Sequence, residues 1–72
     1  MIYWFMTRKG LRTESRPPRD RKCVSEVVIR TGDPQHTIHK FTGPGGQTAE
    51  LDAWCGYDRG PRHHQIVTDM LK

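Results

Sequence analysis

Six side chains of this 72-residue sequence can ligate a metal or move a proton near neutral pH: His36, His39, His63, His64, Cys23 and Cys55. Zinc sites announce themselves through paired cysteines two to four residues apart. Here there is no Cys-x-x-Cys pair, and the spacing from Cys55 to His63 matches no common zinc arrangement. A trial pairing of strands sets His36 opposite Ala53 and so beside Cys55. A return of the chain through Asp58 to Arg62 would bring His63 or His64 to the same end. The candidate ligand set is therefore His36, Cys55, His63 and His64, and the cofactor it suggests is a structural zinc. Against it stands the plainer reading of surface histidines at strand ends and at a helix start, so no metal is assigned from sequence.

For proton transfer the same pairing makes His39 and Glu50 cross-strand neighbours, a carboxylate orienting an imidazole. With cationic residues to hold phosphates, that pair would suit general acid–base cleavage of RNA, as in a small toxin-like ribonuclease. No third group and no substrate pocket can be argued from the sequence, so an enzyme is the third-ranked expectation. Gly43-Pro44-Gly45-Gly46 lacks the Lys-Ser/Thr of a phosphate loop and sits between two strand patterns; it reads as a hairpin loop.

The charge distribution points elsewhere. The formal net charge is +4, yet residues 1–22 alone carry Arg8, Lys9, Arg12, Arg16, Arg19, Arg21 and Lys22 against Glu14 and Asp20, a net +5. The rest of the chain nets −1. Between Thr7 and Lys22 the only large apolar residue is Leu11, and Arg16-Pro17-Pro18-Arg19 favours extended backbone. Such a stretch reads as a flexible basic arm, suited to a polyanion because each cation that meets a phosphate releases a counterion. The bland alternative is a solvated tail that keeps the protein soluble.

Those residues need elements to carry them. Lys22 to Arg30 is rich in β-branched residues and ends at Gly32-Asp33-Pro34-Gln35, where Asp and Pro suit a type I turn. His36 to Phe41 follows as a second strand and runs into the glycine loop. From Ala49 to Tyr57 the pattern alternates, with Ala49, Leu51, Ala53, Cys55 and Tyr57 on one side. The turns predict Ile29 opposite Ile38 and Ile38 opposite Leu51. One face then carries Ile29, Ile38, Leu51, Val27 and Ala49 with Lys40 as a flaw, and the other carries Val28, His39 and Glu50. In that arrangement Cys23 and Cys55 are too far apart to bridge, which leaves free thiols.

A sheet of this size needs a lid. Pro61 suits a first helical position, and Ile66, Val67, Met70 and Leu71 share one side of a helix that can provide it. The run Ile2 to Met6 favours a fourth strand or packs beside that helix. Left exposed, Ile2, Tyr3, Trp4 and Phe5 together with Trp54 form a surface for a protein partner, which gives the second-ranked expectation of a small regulator or inhibitor.

The sequence thus predicts a small α+β protein: a three- to four-stranded antiparallel meander, a short C-terminal helix and a flexible basic N-terminal arm. Residues 1–22 form the aromatic N-terminus and arm, and residues 23–72 the β-rich domain. The leading expectation is a non-enzymatic binding module contacting nucleic acid, an acidic protein surface or a larger nucleic-acid-handling complex. Arg8, Lys9, Arg12, Arg16, Arg19, Arg21 and Lys22 supply electrostatic capture, and Trp54 supplies orientation by stacking. No apolar run approaches the roughly 18 residues of a membrane span, and Met1 to Met6, cut off by Thr7-Arg8-Lys9, has the wrong order of charge and apolarity for a secretory signal. The chain is read as cytoplasmic.

Overall fold

The computed structural model describes residues 1–30, 32, 36–54 and 60–72. Five strands and one helix follow one another: β1 (Ile2–Thr7), β2 (Gly10–Glu14), β3 (Val24–Arg30), β4 (His36–Thr42), β5 (Thr48–Trp54) and α1 (Pro61–Leu71). They form one antiparallel sheet in the order β2-β1-β3-β4-β5. No helix among the described residues is long and apolar enough to cross a membrane.

The expected α+β class and antiparallel sheet are present, but the strand count and the arm require correction. Ile2 to Thr7 is a strand next to the sheet edge, and part of the supposed arm is the edge strand itself. Arg8 and Lys9 form a two-residue reversal between paired Thr7 and Gly10. Thr7 closes it, its hydroxyl donating to the Gly10 carbonyl (2.9 Å) and accepting from the Lys9 N–H (3.1 Å). Gly10 supplies φ +113°, a conformation open to glycine and strained for other residues. β2 is exposed from Arg12 to Glu14, the charged character expected of a strand that must not recruit another chain. Because β2 and β3 both pair with β1, the chain between them crosses β1. Phe5, facing away from Trp4, is only 7% exposed, with the Arg21 guanidinium 5.6 Å from its ring centroid. The residues read as a free arm are thus an edge strand and a strap across β1, and β1 pairs with β3 across the 22/23 boundary.

The first hairpin register is as expected, with Ile29 opposite Ile38. The second differs by one residue: Leu51 lies opposite His39, and Ile38 opposite Asp52. Its five-residue loop explains the shift. The Gly43 N–H donates to the Gln47 carbonyl (2.8 Å) and the Gly46 N–H to the Gly43 carbonyl (3.1 Å), which sets Thr42 opposite Thr48. Since strand side chains alternate, a one-residue shift exchanges faces. Leu51 therefore shares its face with His39 and Phe41, while Ile29 and Ile38 line the other side.

Helix α1 covers the Leu51 side. Pro61 begins it as expected, and His63, Val67 and Met70 form its buried stripe, flanked by Ile66 and Leu71. The core joins Val67 and Met70 to Trp4, Val24, Phe41 and Leu51. Gln47 ties the loop to the helix end by donating to the Met70 carbonyl (3.2 Å), one of the carbonyls a helix C-terminus leaves without an internal partner. The expected turn at Asp33-Pro34-Gln35 and the continuation of the last strand through Cys55 and Tyr57 lie outside the described residues.

Candidate functional site

Beneath the helix, one carboxylate and two imidazoles meet in the core. Alternation along β3 turns Glu26 to the same side as Val24, and alternation along β4 turns His39 to the same side as Thr37 and Phe41. His63 reaches them from the first turn of α1. All three are buried: Glu26 is 1% exposed, His39 6% and His63 0%. Glu26 Oε2 lies 2.8 Å from His39 Nδ1 and 3.0 Å from His63 Nε2, and Glu26 Oε1 accepts the indole N–H of Trp4 at 2.7 Å. Aromatic edges close the cluster, with the His63 ring centroid 4.9 Å from those of both His39 and Phe41 and 5.8 Å from that of Trp4.

A hydroxyl orients the His39 ring. Thr37 Oγ1 lies 3.3 Å from the Ala53 carbonyl and 3.1 Å from His39 Nε2. A carbonyl only accepts, so the single hydroxyl proton goes to Ala53, and His39 Nε2–H donates to Thr37 Oγ1. Nδ1 faces Glu26 Oε2, so the His39 ring bridges the Thr37 hydroxyl and the carboxylate. Burial by itself pushes the Glu26 carboxyl up. The hydrogen bonds from His39, Trp4 and His63, with the charge of His63, outweigh burial and hold it below the usual carboxylate value. One carboxylate and two imidazoles converging in the core are a donor set that can bind protons or a cation.

A second assembly lies on the surface. Arg8 and Lys9 at the β1–β2 turn, Arg12 on β2, and Arg16, Arg19, Arg21 and Lys22 on the strap are all exposed. Trp54, 66% exposed, occupies the opposite edge strand, its ring centroid 4.2 Å from that of His36. Four strand spacings separate it from β2, about 19 Å. The structure thus gathers the cationic residues and sets Trp54 apart from them.

The other expected sites are divided between faces. His39 and Glu50 are not neighbours: His39 is on the covered face, whereas Glu50 is exposed with its Oε1 3.8 Å from Lys40 Nζ. His36, on the uncovered face, contacts Asp52 through Nδ1 at 2.9 Å, away from His63. His64 is exposed, 5.6 Å from the Trp4 ring, and Cys55 lies outside the described residues. Cys23 is a free, half-buried thiol. Of the aromatic docking surface, Trp4 (4% exposed) and Phe5 (7%) are interior groups, Ile2 and Tyr3 are half-buried, and only Trp54 stands clear.

Sequence reasoning missed the Glu26–His39–His63 cluster, although each member stood in an apolar pattern: Glu26 between Val24 and Val28, His63 one turn before Val67. No protein-family model, curated protein or solved structure matches this chain.

Proposed function

We propose that the chain is a non-enzymatic binding module for nucleic acid, with single-stranded RNA or DNA as the ligand class. The observation that carries this reading is the row of seven exposed cations along the β1–β2 turn, the β2 edge and the strap. Phosphates neutralised there release counterions, which provides affinity without sequence preference. The uncovered sheet face leads from that edge to Trp54, whose exposed ring offers a stacking platform for a base. Along that path the acidic groups Glu50 and Asp52 already have Lys40 and His36 as neighbours, which reduces their repulsion of a phosphate chain.

The test is binding of the purified chain to mixed single-stranded oligonucleotides and their duplexes at low and physiological salt. Expected is binding that weakens steeply with salt, with a log–log slope of about −0.7 per phosphate neutralised on single strands. Replacing Arg12, Arg16 and Arg19 together by Ala shallows that slope by about 2, and Trp54→Ala weakens single-strand binding by about 1–3 kcal/mol at unchanged slope. Absence of binding at low salt overturns the reading.

A further inference from the structure

We propose that Glu26 Oε2, His39 Nδ1 and His63 Nε2 form a binding site for one divalent transition-metal ion of the zinc class. Among the described residues these three donor atoms lie within 4.8 Å of one another, and all three side chains are buried. They come from β3, β4 and α1, so an ion there fastens the helix to the sheet. The chemistry of the donors selects the metal. Two imidazoles and one carboxylate suit zinc and its neighbours, whereas calcium and magnesium require six or more oxygens.

The distances fit a site holding protons in place of a metal. Ligands about 2.0–2.1 Å from a tetrahedral ion stand about 3.4 Å apart. Glu26 Oε2 is 2.8 Å from His39 Nδ1 and 3.0 Å from His63 Nε2, so these two separations must open by roughly half an ångström, while the two imidazoles, whose donor atoms stand within 4.8 Å of each other, adjust about the ion. The surrounding groups also match what metal ligands require. His39 is held through Nε2 by Thr37, which leaves Nδ1 pointing inward, and Trp4 fixes the far oxygen of Glu26. Three protein donors leave a fourth tetrahedral position for water or another side chain.

A ring nitrogen or carboxylate oxygen ligates a metal only without a proton, so an ion here competes with the protons that hold the Glu26–His39 and Glu26–His63 contacts.

The experiment is titration of the chelator-stripped full chain with Zn²⁺, and separately with Co²⁺. Expected are one equivalent bound, the intense visible bands of tetrahedral Co²⁺ and a melting temperature that rises with ion concentration. The double variant His36→Ala, His64→Ala, which removes only partly or fully exposed imidazoles, should bind unchanged. Thr37→Val should weaken binding about 10–100-fold, and His63→Gln by at least about 100-fold. If His63→Gln fails to fold, the stoichiometry and Co²⁺ spectrum of the native chain still decide. Absence of stoichiometric binding, an octahedral Co²⁺ spectrum, or loss of binding in the His36/His64 variant overturns the proposal.

Discussion

The two faces of this sheet carry similar chemical groups under opposite conditions. On the covered face Glu26 meets two histidines at 2.8 and 3.0 Å with no more than 7% of any of these side chains exposed. On the uncovered face Asp52 meets His36 and Glu50 meets Lys40, with the carboxylate side chains 66% and 64% exposed. Water screens the second set and leaves each partner a cheap alternative. The first has none, because an ion stripped of its partner in the core faces the full desolvation cost. Residue type alone therefore says little about what a carboxylate–imidazole contact does; the parity of its strand position decides.

Glu26→Ala is the substitution that breaks the comparison most severely. It leaves the Trp4 indole N–H and two imidazoles in the core without their shared acceptor, for an expected loss of about 3–5 kcal/mol. For a 72-residue domain that is a large fraction of the whole stability. Urea unfolding followed by circular dichroism checks it; a loss below about 1 kcal/mol would show that the cluster is not the coupled unit described above.

The next largest effect is with pH. The folded protein holds the Glu26 carboxyl below its ordinary value of 4.5, so the folded state binds fewer protons than the unfolded chain in acid. This contribution is fully present above the ordinary value and disappears as the pH falls through the lowered folded one. Stability measured by urea titration should decline below about pH 4.5. In Glu26→Gln that part of the decline should vanish, while Asp52→Asn leaves it in place. An unchanged acid limb in Glu26→Gln would assign the decline to other carboxylates.

Much of the fold was legible in the sequence because it rests on local signals. Pro61 and the stripe Ile66, Val67, Met70 and Leu71 mark the helix, and the first hairpin pairs Ile29 with Ile38 as its pattern implies. The strand β2 left no such mark. Arg12, Thr13 and Glu14 lie exposed on an edge, where packing imposes no alternation, and the one clue was a glycine three residues beyond Thr7. The site was hidden for a different reason. The loop from Gly43 to Gln47 can close in more than one register, and choosing it one residue off turns His39 from the core to solvent. Placed in the observed register, Glu26, His39 and His63 each interrupt an apolar stripe, and a charged residue inside such a stripe is the signal that would have found them.

The basic edge gives the third prediction. Gly10 at φ +113° has no heavy atom near the place a Cβ would occupy, so Gly10→Ala acts through backbone strain alone. Expected is a loss of about 1–2 kcal/mol. Because β2 reaches the core only through half-buried Leu11, the damage should stay at the edge: amide exchange should quicken in β1 and β2 and leave Val24 and Glu26 protected. Uniform quickening across the sheet would mean that the edge and the buried cluster unfold as one unit.

The smallest expected effect sharpens the contrast from the other side. Lys40 and Glu50 are 52% and 64% exposed and 3.8 Å apart, a long contact between flexible side chains in water. Such pairs contribute roughly 0–1 kcal/mol and less in salt. Lys40→Ala should change stability by no more than about 0.5 kcal/mol, with the difference shrinking in high salt. A salt-insensitive loss above 1 kcal/mol would mean that Lys40 is held by packing of its aliphatic stem against the half-buried Val27 and Ile38 rather than by its charge. In that case the uncovered face has apolar structure of its own, and its likeness to a solvated surface ends at the strand that carries Lys40.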